Sequence, residues 1–363
     1  MFRIKPSLKN FLSQYQFSLK QLSLVALGSG LTAVIFFTLG ASPPNQRPRE
    51  SASVVTPGKV KLVPVIENGV RTYELKAEPI RAKFYPEFNR GGLKAFGYNG
   101  QTPGPTLEAI QGEPIRIRFT NQLSEPTTIH WHGVEVPNKM DGAGGINQEP
   151  IAPGKTFVYE FTPPRSGTFM YHSGTSPTRQ VNMGLAGMFL VHPKNSSREI
   201  EAVDRDYALL LQIWKVPFHS NERDLLEMAN YSHFTFNGLA GPAIPELVAR
   251  LGERVRIRIG NLSELAHPVH LHGFSFWVTG TDGGWIPKPA QWPQATILVG
   301  GGETRTIEFE IPDSVDRIGV WPLHCHFLHH IMNDMDLPML PGSEMKMEEH
   351  GGMFTRLRIL PKE

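Results

Sequence analysis

The body of the chain repeats itself, and that limits what it can fold into more than any other feature. Residues 112–121 read Gly-Glu-Pro-Ile-Arg-Ile-Arg-Phe-Thr-Asn, and residues 252–261 read Gly-Glu-Arg-Val-Arg-Ile-Arg-Ile-Gly-Asn, an offset of 140 without a gap. The same offset carries His130-Trp131-His132-Gly133 onto His270-Leu271-His272-Gly273. Residues 154–161 match 302–309 at an offset of 148, and Tyr171-His172-Ser173-Gly174 matches Leu323-His324-Cys325-His326 at 152. Two copies of one unit predict two domains of one fold, at about 55–200 and 201–363, a division that suits a chain of 363 residues. Ile115 and Ile117 alternate with arginine, as do Val255 and Ile257. That period of two predicts a half-buried antiparallel strand with its arginines outward. Turn signals separate such stretches at Pro103-Gly104, Pro153-Gly154, Asp282-Gly283-Gly284 and Gly300-Gly301-Gly302. Helical patterning is confined to 223–229. The expected fold is all-β: two Greek-key β-sandwiches behind an N-terminal hydrophobic segment.

That segment, residues 1–45, reads as an export signal. Arg3, Lys5, Lys9 and Lys20 precede an uncharged stretch at 21–46, whose apolar heart is 22–41. Positive charge ahead of an apolar stretch holds the N-terminus in the cytoplasm and sends the rest outward. The heart is long enough to span a bilayer and longer than the core of most cleaved signals. It is read as a membrane anchor or a signal peptide, followed by a linker at 46–54. The sandwiches are then expected outside the cytoplasm, in a periplasm or its equivalent. No Arg-Arg pair precedes the apolar stretch. The net charge of +2 and the lack of a long basic run argue against a nucleic-acid partner.

Most of the 14 histidines fall in four clusters: His130 with His132; His172; His267, His270 and His272; and His324, His326, His329 and His330. In a strand, residues i and i+2 share a face, so each His-x-His offers two imidazoles side by side. The single cysteine, Cys325, excludes an intrachain disulfide and lies between two of these histidines. Thiolate, imidazole and thioether together favour copper, and two histidines, a cysteine and a weak axial methionine make up the blue-copper set. Cys325, His330 and Met335 follow one another at spacings of five. Zinc sites usually show more than one cysteine. A catalytic thiol needs far fewer histidines than this.

These segments resemble the four copper signatures of the multicopper oxidases, the family of laccases and bacterial copper-tolerance oxidases. The likeness runs from about Gly97 to Met335 and implies two cupredoxin-like domains. It implies a type 1 copper on His267, Cys325 and His330, with Met335 axial. His130 and His270 would hold a type 2 copper. His132, His172, His272, His324 and His326 would hold a type 3 pair. With up to four coppers per chain, electrons from a donor such as Cu(I), another metal ion or a phenol would pass through Cys325 to a trinuclear cluster, where dioxygen becomes water. Asp141 resembles the family's acid near the cluster and is read as a proton relay.

The repeat sets Thr127, Ser173, Thr178 and Met183 opposite His267, Cys325, His330 and Met335. Domain 1 is therefore expected to lack a type 1 site, with Met183 in its core. Two-domain members arranged in this way are homotrimers. One departure stands out: Gly174 occupies the place of a type 3 histidine, leaving seven of eight. His192, His219 and His233 are the other histidines that could fill the gap. A loss there keeps two alternatives open, a copper-binding or electron-transfer protein without oxidase turnover and a copper nitrite reductase. Nitrite reductases, however, carry their blue copper in domain 1. Met332, Met339, Met345, Met347 and Met353 are read as loop packing or a cuprous-ion site. His329 is read as a rim residue. Trp131, Trp277, Trp285, Trp292 and Trp321 are expected to pack the sandwiches.

Overall fold

The computed structural model describes residues 52–84, 92–194, 202–215, 231–333 and 351–362. The N-terminal segment, His219, residues 223–229, Met335, Met339, Met345 and Met347 lie outside the described residues. Among those described, no helix is long and apolar enough to cross a membrane.

The period-2 stretches form strands in the register that the repeat requires. In the first half, Ile115–Asn121 and Thr156–Phe161 pair antiparallel, with Ile117 opposite Tyr159. In the second, Arg254–Asn261 pairs with Thr304–Glu310, with Ile257 opposite Ile307. On its other edge each inner strand pairs parallel, Ile115–Asn121 with Val70–Ala82 and Arg254–Asn261 with Arg205–Trp214. The antiparallel expectation thus holds on one side only. The parallel neighbour arrives from the start of its own half by a long crossover, which local alternation cannot reveal.

A second sheet closes each sandwich. Its order in the first half is Leu107–Ile110, Ala186–His192, Gly167–Ser173 and Ile129–His132. In the second half it is Leu247–Arg250, Phe354–Leu360, Gly319–Cys325, His267–Leu271 and Thr296–Val299. Ile115, Ile117 and Phe119 are fully buried in one core, and Val255, Ile257 and Ile259 in the other. Each such side chain contributes roughly 1.5–3 kcal/mol. Both sandwiches are cupredoxin-like. Trp131 lies in the first core, but Trp277 and Trp292 are 50% and 37% exposed. They sit on the outer side and edge of their sheet, so they do not pack the sandwich as expected.

A third apolar core, with Met170, Met188, Leu190, Ala208 and Leu210, joins the halves. The alternating arginines of the two halves meet different fates. Arg116 and Arg118 keep 23% and 35% of their side chains exposed, as the pattern predicts. Arg256 and Arg258 are only 2% exposed, because the Trp285 ring lies over both guanidinium groups and the first half meets Arg258. Both pair with Asp206, at 3.2 and 2.8 Å, and Arg256 also pairs with Glu308 at 2.7 Å. Arg258 donates across the junction to Thr168 Oγ1 at 3.0 Å. Burial alone would raise the Asp206 carboxyl, but Arg258 and Arg256 outweigh it and hold the group below its usual range. Its contribution is therefore present above the unfolded pKa of about 3.9 and is lost as pH falls through the lower folded value. Asp206→Asn strands buried guanidinium charge and is expected to cost about 3–5 kcal/mol. Urea unfolding checks this, and an unchanged midpoint would refute it.

Candidate metal centres

His267 opens the strand His267–Leu271, and Cys325 ends the neighbouring strand Gly319–Cys325. A helical turn, Leu328–Ile331, then brings His330 back beside them. All three side chains are buried and offer donor atoms within 4.8 Å of one another. Cys325 Sγ lies 3.3 Å from His330 Nδ1 and 3.8 Å from His267 Nδ1, and the two Nδ1 atoms are 3.0 Å apart. Ser263 Oγ, 2.8 Å from His267 Nε2, can accept that nitrogen's proton and leave Nδ1 free. The His330 ring stacks on Phe234 at 4.0 Å, and its Nε2 is buried without a partner among the described residues.

Burial pushes both histidines down to about 3 and the Cys325 thiol up to about 12. Without a cation the three groups are neutral, and two ring nitrogens crowd one sulfur. A metal ion would replace the thiol proton and give both lone pairs a partner. Two imidazoles and one thiolate in a trigonal array are the donors of a type 1 copper, so the residues fit that ion. Met335, the expected axial ligand, lies outside the described residues.

A second gathering holds His130, His132 and His172. Cross-strand pairing sets His130 opposite His172, and the i, i+2 rule puts His132 on the same face. Second partners select the free nitrogens. His130 Nδ1 is 2.9 Å from Asp141 O, and His172 Nδ1 is 2.9 Å from Ser173 O, which leaves Nε2 free on each. His132 turns its Nδ1 inward, 3.2 Å from His172 Nε2. Burial lowers His132 and takes His172 down to about 3, so both remain neutral ligands.

A third group lies on the second half. His270 stands opposite His324 across the strands, and His272 Nε2 approaches His324 Nε2 at 3.0 Å. His326 is near, with its ring 5.5 Å from His270 and 5.6 Å from His324. His324 Nδ1 is 2.9 Å from Cys325 O, and His270 Nδ1 is 2.7 Å from Ala295 O. His272 and His326 are exposed. One chain does not join the two sets: among the described residues, the gathering around His172 includes none of the second half's histidines. Instead, Gly302 of the second half faces His132.

The repeat's blank positions have been rebuilt. Thr127 and Ser173 donate to Gln180 Oε1 at 2.8 and 2.5 Å, so a buried amide fills the place of the type 1 pocket in domain 1. Gln180 takes the part that the repeat gave to Thr178, two residues on in the same short helix Pro177–Gln180. Met183 packs in the first core, as read. His329 is exposed on the rim, edge-on to Phe234.

Gly174 is not a vacancy awaiting a side chain. A Cβ there would lie 2.1 Å from Gly142 O and 2.9 Å from Thr128 Oγ1. The loop after Asp141 takes up this space, tied by a bond from Gly144 N to Gly174 O at 3.1 Å. Neither other described candidate compensates. His192 pairs with Glu108 at 2.7 Å, His233 packs on Phe84, and His219 lies outside the described residues. Gly174→Ala is expected to overpack the site at a cost of at least roughly 1–3 kcal/mol. Gly174→His would do worse rather than restore a ligand. A thermal midpoint unchanged by the alanine would disprove the clash.

Two β-sandwiches, one with a buried His₂Cys pocket, define the cupredoxin class of copper-binding folds. Family models of multicopper oxidases match residues 86–196 and 216–344. The chain belongs to the multicopper oxidase family. It is 32% identical to the multicopper oxidase mco of Staphylococcus haemolyticus over 230 residues, 60% of this chain and 49% of that protein. It is 37% identical to an L-ascorbate oxidase of Brassica rapa subsp. pekinensis over 149 residues, 40% of this chain and 25% of that protein. The matches thus span a quarter to a half of these curated relatives. Among solved structures, the blue copper oxidase from Nitrosomonas europaea superposes with a TM-score of 0.67 at 25% identity, over 80% of this chain and 86% of that one. A copper nitrite reductase from Nitrosomonas europaea, with a TM-score of 0.61 at 21% identity, shares the fold.

Proposed function

We propose that the protein is a laccase-like oxidase. Loaded with copper, the type 1 pocket would receive single electrons from a donor and the trinuclear cluster would reduce dioxygen to water. The observation that carries this reading is the position of Cys325. Its sulfur points into the buried pocket, and its chain neighbours His324 and His326 belong to the open group on the other face of the strand. One residue therefore links the two centres covalently. The donor is Cu(I), another metal ion or a phenol. Asp141, with Oδ1 3.4 Å from His130 Nδ1, stands beside the cluster ligands and would serve as the proton relay for oxygen reduction.

The cluster forms between chains. Each chain carries two separated half-sites, and a closed ring lets domain 1 of one copy meet domain 2 of the next. A homotrimer is the assembly proposed. The chain is exported and either tethered by its N-terminal segment or released from it. The amide-filled pocket in domain 1 supports this reading over a nitrite reductase, whose blue copper would be expected there.

Oxygen uptake by the copper-loaded full-length protein, with a one-electron donor, is the test. Uptake without peroxide release, by a species of three chains, is the expected result. A fully blue protein that consumes no oxygen would overturn the oxidase reading and leave electron transfer. Nitrite consumption in place of oxygen would favour the reductase.

A further inference from the structure

We propose that Asn147 is a positioning residue for the type 2 copper ligand His130, acting through Asp141; this rests on the cluster reading above. His130 lies on an edge strand with its ring partly open to solvent. Its Nδ1 is hydrogen-bonded to the Asp141 backbone carbonyl at 2.9 Å, and Asp141 Oδ1 lies beside it at 3.4 Å. The other carboxylate oxygen, Oδ2, accepts from Asn147 Nδ2 at 2.8 Å. An ionised carboxylate only accepts, so the amide's NH₂ must be the end that faces Asp141. Asn147 Oδ1 is then left buried and without a protein partner among the described residues. An arrangement that strands an acceptor in order to hold a carboxylate points to a use for that carboxylate's orientation.

The loop's covalent design supports this. Asn147 returns to Asp141 through a tight turn, with Ile146 N and Asn147 N bonded to Ala143 O at 3.0 and 3.2 Å. Gly145 N bonds to Gln148 O at 2.8 Å. Glycine is required at two steps. A Cβ at Gly142 would meet Ile129 O at 1.7 Å, and one at Gly144 would meet Thr175 Oγ1 at 2.2 Å. This same loop closes the space beside Gly174. The backbone that displaces one type 3 histidine therefore also clamps His130. Without the amide, the Asp141 side chain could rotate to solvent or bind the metal itself. With it, the Asp141 carboxylate stays beside His130, whose Nδ1 the backbone carbonyl already holds, and Nε2 is left for the metal.

The test uses copper-loaded full-length protein and Asn147→Leu, which removes the amide at similar size. Copper is withdrawn by a competing chelator, while the paramagnetic resonance of the type 2 copper and the blue absorption are followed together. Loss of a ligand's direct outer partner weakens a metal site roughly 10–100-fold, and Asn147 acts one contact further out, so the low end, about tenfold, applies. The expected result is a loss of that size at one copper per chain, an altered type 2 resonance and an unchanged blue band. Asn147→Gln, which keeps the amide, should recover part of the affinity. Should Asn147→Leu lose its blue band through misfolding, Asn147→Ser is judged by the same readouts. An unchanged type 2 resonance and affinity in the folded variant overturn the proposal. A fully loaded wild-type protein with no type 2 resonance would overturn the cluster reading itself, and this inference with it.

Discussion

Cys325→Ser is expected to abolish the blue absorption and to slow donor oxidation by at least about a hundredfold, since losing even an outer partner of a metal site costs 10–100-fold. Serine is nearly isosteric, so the sandwich should fold. Its hydroxyl, unlike a thiol, does not become an anionic soft donor between two neutral imidazoles. Cys325 is also the covalent link between the pocket and its chain neighbours His324, on the same strand, and His326, just beyond its end. On the oxidase reading, the variant therefore loses both the electron acceptor and the route onward. Absorption and donor kinetics on the same sample check this. Blue colour that survives would show that the pocket of His267, Cys325 and His330 does not hold the type 1 copper.

His132→Ala should separate the two centres in the opposite sense. His132 lies in domain 1, away from the type 1 pocket, and directs Nδ1 toward His172. On the oxidase reading, removing it takes a ligand from the cluster only. Oxygen uptake is expected to fall by at least roughly a hundredfold, while the blue band remains and still bleaches with donor under anaerobic conditions. Retained uptake would mean that dioxygen is not reduced at the histidines of domain 1. The pair of variants assigns electron acceptance and oxygen reduction to different residues of one chain.

Much of this was legible in the residues. The repeat predicted two like sandwiches, and alternation around Ile117 and Ile257 located their inner strands, because a strand's side chains follow a period of two wherever one face is buried. His-x-His spacing put imidazoles on one face for the same reason. Cys325 and His330 could be linked to His267 because their types define one donor set. Other features lay beyond local pattern. Arg116 and Arg256 occupy equivalent positions in near-identical strings, yet one faces solvent and the other is buried with Asp206 and Glu308. Trp277 and Trp292 looked like core residues and are exposed. Gln180 and Asn147 carry no motif. Each is recognised only when the chain brings it to Ser173 or Asp141.

The sequence by itself determined the fold class, the place of the His₂Cys pocket in the second half and its absence from the first, since those follow from residue types at fixed spacing. Only the tertiary structure decided which arginines are buried, why no side chain can stand at residue 174, and that the two histidine half-sites of one chain stay apart. The physical reason is the same in each case. Periodicity specifies which way a side chain points from its own strand, whereas what meets it there depends on packing between segments far apart in the chain.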